Sequence, residues 1–256
     1  MNSVITMAEV QIIALLLCRI MSFLAAAPIF SQKAFPNLAK IIIGFSLIIA
    51  AYPIVAKYQG TSNELIFILL AAKEILVGLA MGYLSQLVFN AVMVAGQMID
   101  FQVGFSIAQA YDATFQMMSS QFGRVYYWLA TAVFFMMDFY QQLIIGVVRS
   151  FKIISLTGGS ADGATIQGVV RLFCQAMVMS LELAAPMVVA MLVVNLLLGV
   201  ISRSIPQINV LMLSLPLQTV LSFLLMLLIL PNLISFFQQN LPNSINNMMD
   251  FVRSLK

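Results

Sequence analysis

Charge is what this sequence has least of. Of its 256 residues only 8% are Asp, Glu, Lys or Arg, whereas 62% are hydrophobic, and the mean hydropathy is +1.04. A water-soluble domain is about a quarter charged, because it must clothe its surface for water. A soluble globular fold is therefore excluded, and the class indicated is an all-α integral membrane protein. Histidine is wholly absent, which removes the commonest general base, zinc ligand and pH-responsive side chain together. Only two cysteines occur, Cys18 and Cys174, each within an apolar stretch and without CxxC spacing. They read as small buried hydrophobes and not as a disulfide or metal pair. With 12 basic and 9 acidic residues the net charge is only +3 and no basic run occurs, so nucleic acid is not indicated. No phosphate-binding GxxxxGK[ST] loop is present. Gly158-Gly159-Ser160-Ala161-Asp162 has Asp where a nucleophile elbow needs its last Gly. Neither an enzyme nor a cofactor is expected.

What is present is hydrophobic helix. About six apolar segments can be drawn: Val10–Phe30, Ile41–Ala56, Leu65–Ile99, Val125–Val148, Val169–Val200 and Val210–Phe237. No cleaved signal peptide is expected, because the first basic residue, Arg19, lies inside the first segment and not before it. The uncharged run from Ser204 to Met249 contains Pro206, Pro216, Pro231 and Pro242, and is expected to be a hairpin plus a tail, not one rod. Under strict alternation Lys33, Lys40, Arg124 and Arg203 fall on one side of the membrane. Lys57, Arg149, Lys152, Arg253 and Lys256 fall on the other. So small a bias sets no orientation.

The informative charges inside apolar segments are Arg19, Lys73, Glu74, Asp138 and Glu182. Each costs roughly 2.5–3.5 kcal/mol at a helix centre, so each needs a counter-charge or a wet cavity. Lys73 and Glu74 are neighbours about 100° apart on a helix and are not expected to neutralise one another along one face. Interhelical ion pairs that fix assembly are the favoured role, and a proton or ion path is the other. The GxxxG of Gly78 and Gly82 implies close helix packing. The oddest stretch runs from Phe105 to Gly123. It is too polar for a lipid-facing span and too apolar for a solvated loop, and it reads as a re-entrant or pore-plugging segment or as an amphipathic surface helix. Eighteen methionines suit a deformable seal, and equally a core filler.

Several of these residues, in order and spacing, resemble one family. They are Arg19 with Ala27-Pro28-Ile29-Phe30-Ser31 and Pro36, then Lys73-Glu74-Ile75-Leu76-Val77-Gly78-Leu79 with Gly82. Gly96, Asp100, Gln102 and Gly104-Phe105-Ser106 follow, and the most specific run is Gly199 to Val210, with Ser202, Arg203, Pro206, Gln207 and Asn209. The chain resembles the FliR family of flagellar export-gate subunits, whose counterparts serve virulence type III secretion. The resemblance implies a single membrane domain in a helical export gate in the bacterial cytoplasmic membrane, at the flagellar basal body. The implied partners are FliP- and FliQ-type subunits, an FlhB-type subunit and unfolded export substrates. It further implies that residues 1–167 are FliP-like and 168–256 a FliQ-like hairpin with a C-terminal tail. Within 105–123 it places a central plug, with Phe105, Ser106, Asp112, Phe115, Met117 and Met118 as its candidate sealing residues. Arg19, Lys73, Glu74, Asp138 and Glu182 become candidate assembly pairs, and Ser202, Arg203, Pro206, Gln207 and Asn209 a hairpin turn. The competing functional reading is a small-solute or ion transporter using Glu74, Asp138 and Glu182. A passive membrane scaffold is a third.

Overall fold

The computed structural model describes residues 6–32, 34–56, 58, 60–105, 120–158, 163–204 and 210–255. Among these residues every regular element is a helix: α1 Met7–Ala26, α2 Asn37–Val55, α3 Glu64–Val103, α4 Gln121–Met136, α5 Phe139–Ile153, α6 Gly163–Ser204 and α7 Val210–Ser254. Five of these helices are long and apolar enough to cross a membrane, and a sixth span results if α4 and α5 count as one broken crossing. An integral membrane protein follows, since only helices or closed barrels satisfy every backbone group in lipid.

Local sequence explains most helix ends. Thr6 caps α1 in a capping box with Glu9: the Glu9 amide donates to Thr6 Oγ1 and the Thr6 amide to Glu9 Oε2. The fourth apolar segment, expected as one helix, is two. The break falls at Asp138, which takes a left-handed backbone (φ 55°) between α4 and α5. Asp tolerates that conformation better than most residues, and helices do not continue through it.

The C-terminal expectation also changes. In place of a hairpin arm plus a separate tail, α7 is one helix of 45 residues that contains Pro216, Pro231 and Pro242. Each proline removes one amide donor. In an apolar setting the freed carbonyl has no water to turn to, and the flanking Leu and Met residues favour helix, so the chain continues.

The helices group into two compact units that do not follow chain order. One comprises Met1–Leu87, Asp138–Phe173 and Leu241–Lys256, and the other Val88–Met137 and Cys174–Asn240. In the first unit α2 packs on α1 and α5. The GxxxG of α3 finds its mate there in α1. A Cβ on Gly78 would stand 2.3 Å from the Arg19 carbonyl oxygen, and one on Gly82 would stand 2.7 Å from that of Phe23. No larger residue fits either place, which is the close backbone approach the motif permits.

Candidate functional site

Among the described residues, a buried polar assembly interrupts the apolar packing in each unit. In the first unit Arg19 of α1 and Glu74 of α3 are fully buried and form a two-point ion pair. Arg19 Nε donates to Glu74 Oε2, and Nη2 donates to Oε1 at 2.9 Å. The remaining guanidinium donors turn to α5, with Nη1 3.2 Å from Ser150 Oγ and Nη2 3.4 Å from the Ile154 carbonyl oxygen. The guanidinium carbon lies 4.3 Å from the centre of the Phe151 ring, a cation–π contact. Planarity lets one arginine serve all these partners, and a lysine would lose most of them.

Lys73 departs from the expectation set by its spacing. Its ammonium lies 3.2 Å from Glu74 Oε1, although the two residues are neighbours on one helix. The long lysine stem spans the angular gap, so the pair meets after all. The same ammonium donates to the carbonyl oxygens of Leu156 and Gly158, each at 2.7 Å, and of Ser155 at 3.3 Å. Two cations thus gather the carbonyls of Ile154, Ser155, Leu156 and Gly158, in the turn that follows α5. The dipole at the C-terminus of α5 favours positive charge there. The cluster ties α1, α3 and α5 into one block.

In the second unit the polar groups surround the two ends of the Phe105–Gly123 stretch. At its far end Asp100 of α3, 5% exposed, accepts from the Gln121 amide at 2.7 Å and the Phe122 amide at 3.1 Å. Ser120 Oγ accepts from the Gly123 amide at 2.7 Å. The start of α4 is therefore capped twice, once by its own Ser120 and once by α3. Gly96 and Gly123 meet so closely that a Cβ on Gly96 would lie 2.1 Å from the Gly123 Cα. At the near end α3 stops at Gly104, whose φ of 90° suits glycine. Asn195 Nδ2 of α6 lies 3.4 Å from the Gln102 carbonyl oxygen, and Gln218 Nε2 of α7 donates to Asn195 Oδ1 at 2.5 Å. The rings of Phe105 and Phe122 stack across the two ends with centres 6.2 Å apart.

The remaining candidates divide plainly. Phe105 is half-buried in the frame just described, whereas Ser106, Asp112, Phe115, Met117 and Met118 lie outside the described residues. Asp138 is exposed at the α4–α5 break. Glu182 is exposed on α6, far along the chain from any other charge. Ser202 and Arg203 are exposed at the end of α6, and Pro206, Gln207 and Asn209 lie outside the described residues. The candidate set had omitted Asp100, Ser120, Ser150, Asn195 and Gln218. Asn195 and Gln218 had a usable signal, since an amide inside an apolar helix needs a hydrogen-bond mate. Ser120 had another, as a capping residue just ahead of a helical run.

Residues 10–243 match the family described as bacterial export proteins, family 1. Three curated relatives are each called flagellar biosynthetic protein FliR. That of Bacillus subtilis is 29% identical over 230 residues, which cover 89% of this chain and 88% of that protein. That of Aquifex aeolicus is 29% identical over 229 residues, 88% of each chain. That of Escherichia coli is 25% identical over 239 residues, 93% of this chain and 92% of the relative. A match of this extent, with the expected motifs in order along helices that suit a membrane, means that the chain belongs to the bacterial export proteins, family 1.

Proposed function

We propose that this chain is a subunit of the flagellar protein-export gate, one that helps to form and seal a conduit for unfolded export substrates. The supporting observation is family membership across residues 10–243, with relatives named for flagellar biosynthesis. In this reading it lies in the bacterial cytoplasmic membrane with FliP-, FliQ- and FlhB-type subunits. Residues 1–167 act as a FliP-like part and 168–256 as a FliQ-like part. The chain binds no small substrate and performs no chemistry.

The seal lies within residues 105–123. The capping of α4 by Asp100 and the Gln102–Asn195–Gln218 chain of hydrogen bonds support that assignment, because they fix the backbone on both sides of it. Pro206, Gln207 and Asn209 belong to the connection between α6 and α7 that the resemblance assigns to a hairpin turn, with Ser202 and Arg203 in the last turn of α6. Arg19, Lys73 and Glu74 hold this chain's own helices together. A transporter that used Glu74 for coupling would have to prise a fully buried carboxylate from Arg19 and Lys73, which the geometry disfavours.

The test is co-expression with the FliP- and FliQ-type neighbours, followed by native mass spectrometry in mild detergent. A defined hetero-complex is expected. A homo-oligomer that ignores both neighbours would overturn the proposal. Deleting residues 106–120 in that complex should then let ions leak across the membrane, and a tight membrane after the deletion would remove the seal assignment.

A further inference from the structure

Glu182 is the only charged residue between Arg171 and Arg203, and it is exposed on α6 with no hydrogen bond or ion pair among the described residues. Its surroundings are not those of a solvated carboxylate. Val178, Glu182, Ala185, Val189, Leu192 and Leu196 follow one another at alternating steps of four and three residues, and all are exposed. That spacing makes a straight seam along one side of a helix, the pattern by which helices pack knobs into holes. Farther along the same seam comes Gly199, where an added Cβ would meet no atom within 4 Å. Small and large apolar side chains therefore make an uncovered helix face, and a carboxylate stands on it.

A second feature converges on the same point. Pro186 lies inside α6 four residues beyond Glu182. Having no amide hydrogen, it cannot make the helical bond to the Glu182 carbonyl. Residue 182 thus presents an uncompensated carboxylate together with a backbone oxygen that has lost its usual donor. Two acceptors and no donor at one level of an apolar helix call for a multiply donating cation from outside.

We infer that the α6 seam receives a membrane helix of a different chain, and that this helix carries an Arg or Lys that binds the Glu182 carboxylate. A second copy of this chain is the poorer occupant. Two copies inserted in the same orientation and paired seam to seam would set Glu182 against Glu182 at equal depth. A foreign helix with a cation covers the face and neutralises the charge together. The inference rests on the gate reading and names the chemistry of one of its contacts.

The experiment uses the full chain with its co-expressed neighbours. Glu182→Lys reverses the charge, Glu182→Gln keeps the shape, and Ala185→Trp blocks the seam without touching charge. Helicity and yield of this chain by itself should be unchanged in all three, since none of these side chains makes a described contact within it. Hetero-complex recovered through a tag on this chain should fall at least about tenfold for Glu182→Lys and Ala185→Trp, and less for Glu182→Gln. A photo-crosslinking residue at Val189 should yield an adduct with a different chain. Wild-type recovery for both Glu182→Lys and Ala185→Trp would overturn the inference while leaving the gate reading intact. Adducts of Val189 only with this chain itself would do the same. Failure of the unaltered chain to form any hetero-complex would overturn both. Normal assembly of Glu182→Gln with lost proton coupling would instead assign Glu182 to transport.

Discussion

Arg19 shows why a charge persists in an apolar helix. Its cost of burial is offset because each guanidinium nitrogen has a partner: the two oxygens of Glu74, Ser150 and the Ile154 carbonyl. Removing one member leaves another buried without compensation. Arg19→Leu should therefore destabilise the protein by about 3–5 kcal/mol, read as a drop in thermal midpoint in detergent. The double variant Arg19→Leu with Glu74→Leu should recover a large part of that loss, because no orphaned charge remains. Asp138 makes a different point at the same scale. With φ at 55°, Asp138→Val places a β-branched side chain in left-handed backbone and should cost about 1–2 kcal/mol. Asp138→Asn should be close to neutral by the same measurement.

Among the elements, α3 carries the most. Its first half presses Gly78 and Gly82 onto α1, and its second half sets Gly96 against Gly123 and caps α4 through Asp100. Asp100→Ala should therefore cost about 1 kcal/mol through the lost cap and raise hydrogen exchange at the start of α4. Unchanged exchange at Gln121 and Phe122 would mean that the cap does not hold them in solution. Gly96→Val should be far harsher, because the backbones of α3 and α4 already touch and no side chain can yield. α7 shows the reverse case, an element that tolerates what local rules penalise. Pro216, Pro231 and Pro242 leave it unbroken, since lipid and neighbouring helices offer no better use for the freed carbonyls.

For the molecule as a whole, helix length is the telling quantity. The 40 residues of α3 extend about 60 Å at 1.5 Å per residue, twice the roughly 30 Å of a bilayer's hydrocarbon core. Much of α3 and α6 must lie beyond the hydrocarbon or cross it steeply tilted. Cysteines placed at the exposed positions Leu65, Leu76, Tyr83 and Phe101, with Cys18 and Cys174 replaced, should map this in the assembled state. A membrane-impermeant thiol reagent is expected to spare one window of about 20 residues and label beyond it. Uniform protection along α3 would contradict that. Helices that outrun the membrane also account for the weak charge asymmetry of Lys33, Lys40 and Arg124 against Lys57, Arg149 and Lys152, since the positive-inside rule holds for ordinary crossings with short loops.

By itself the sequence determined the membrane class, the existence and approximate place of α1, α2 and α3, and the family. These depend on local composition, on uninterrupted hydrophobic runs and on motifs read along the chain. It also marked Gly78 and Gly82 as a contact face, without naming α1 as the surface they meet. Only the tertiary structure decided which charges are used up within the chain. Arg19 lies 55 residues from Glu74 and 131 from Ser150, so no window of sequence could pair them, and the reach that lets Lys73 join its own neighbour is a matter of side-chain conformation. The same holds for the meeting of Asp100 with α4 and of Asn195 with Gln218. Glu182 completes the contrast. In sequence it is one of several charges in apolar helix, and only folding, by satisfying Arg19, Lys73 and Glu74 internally, sets it apart as a carboxylate with no partner among the described residues.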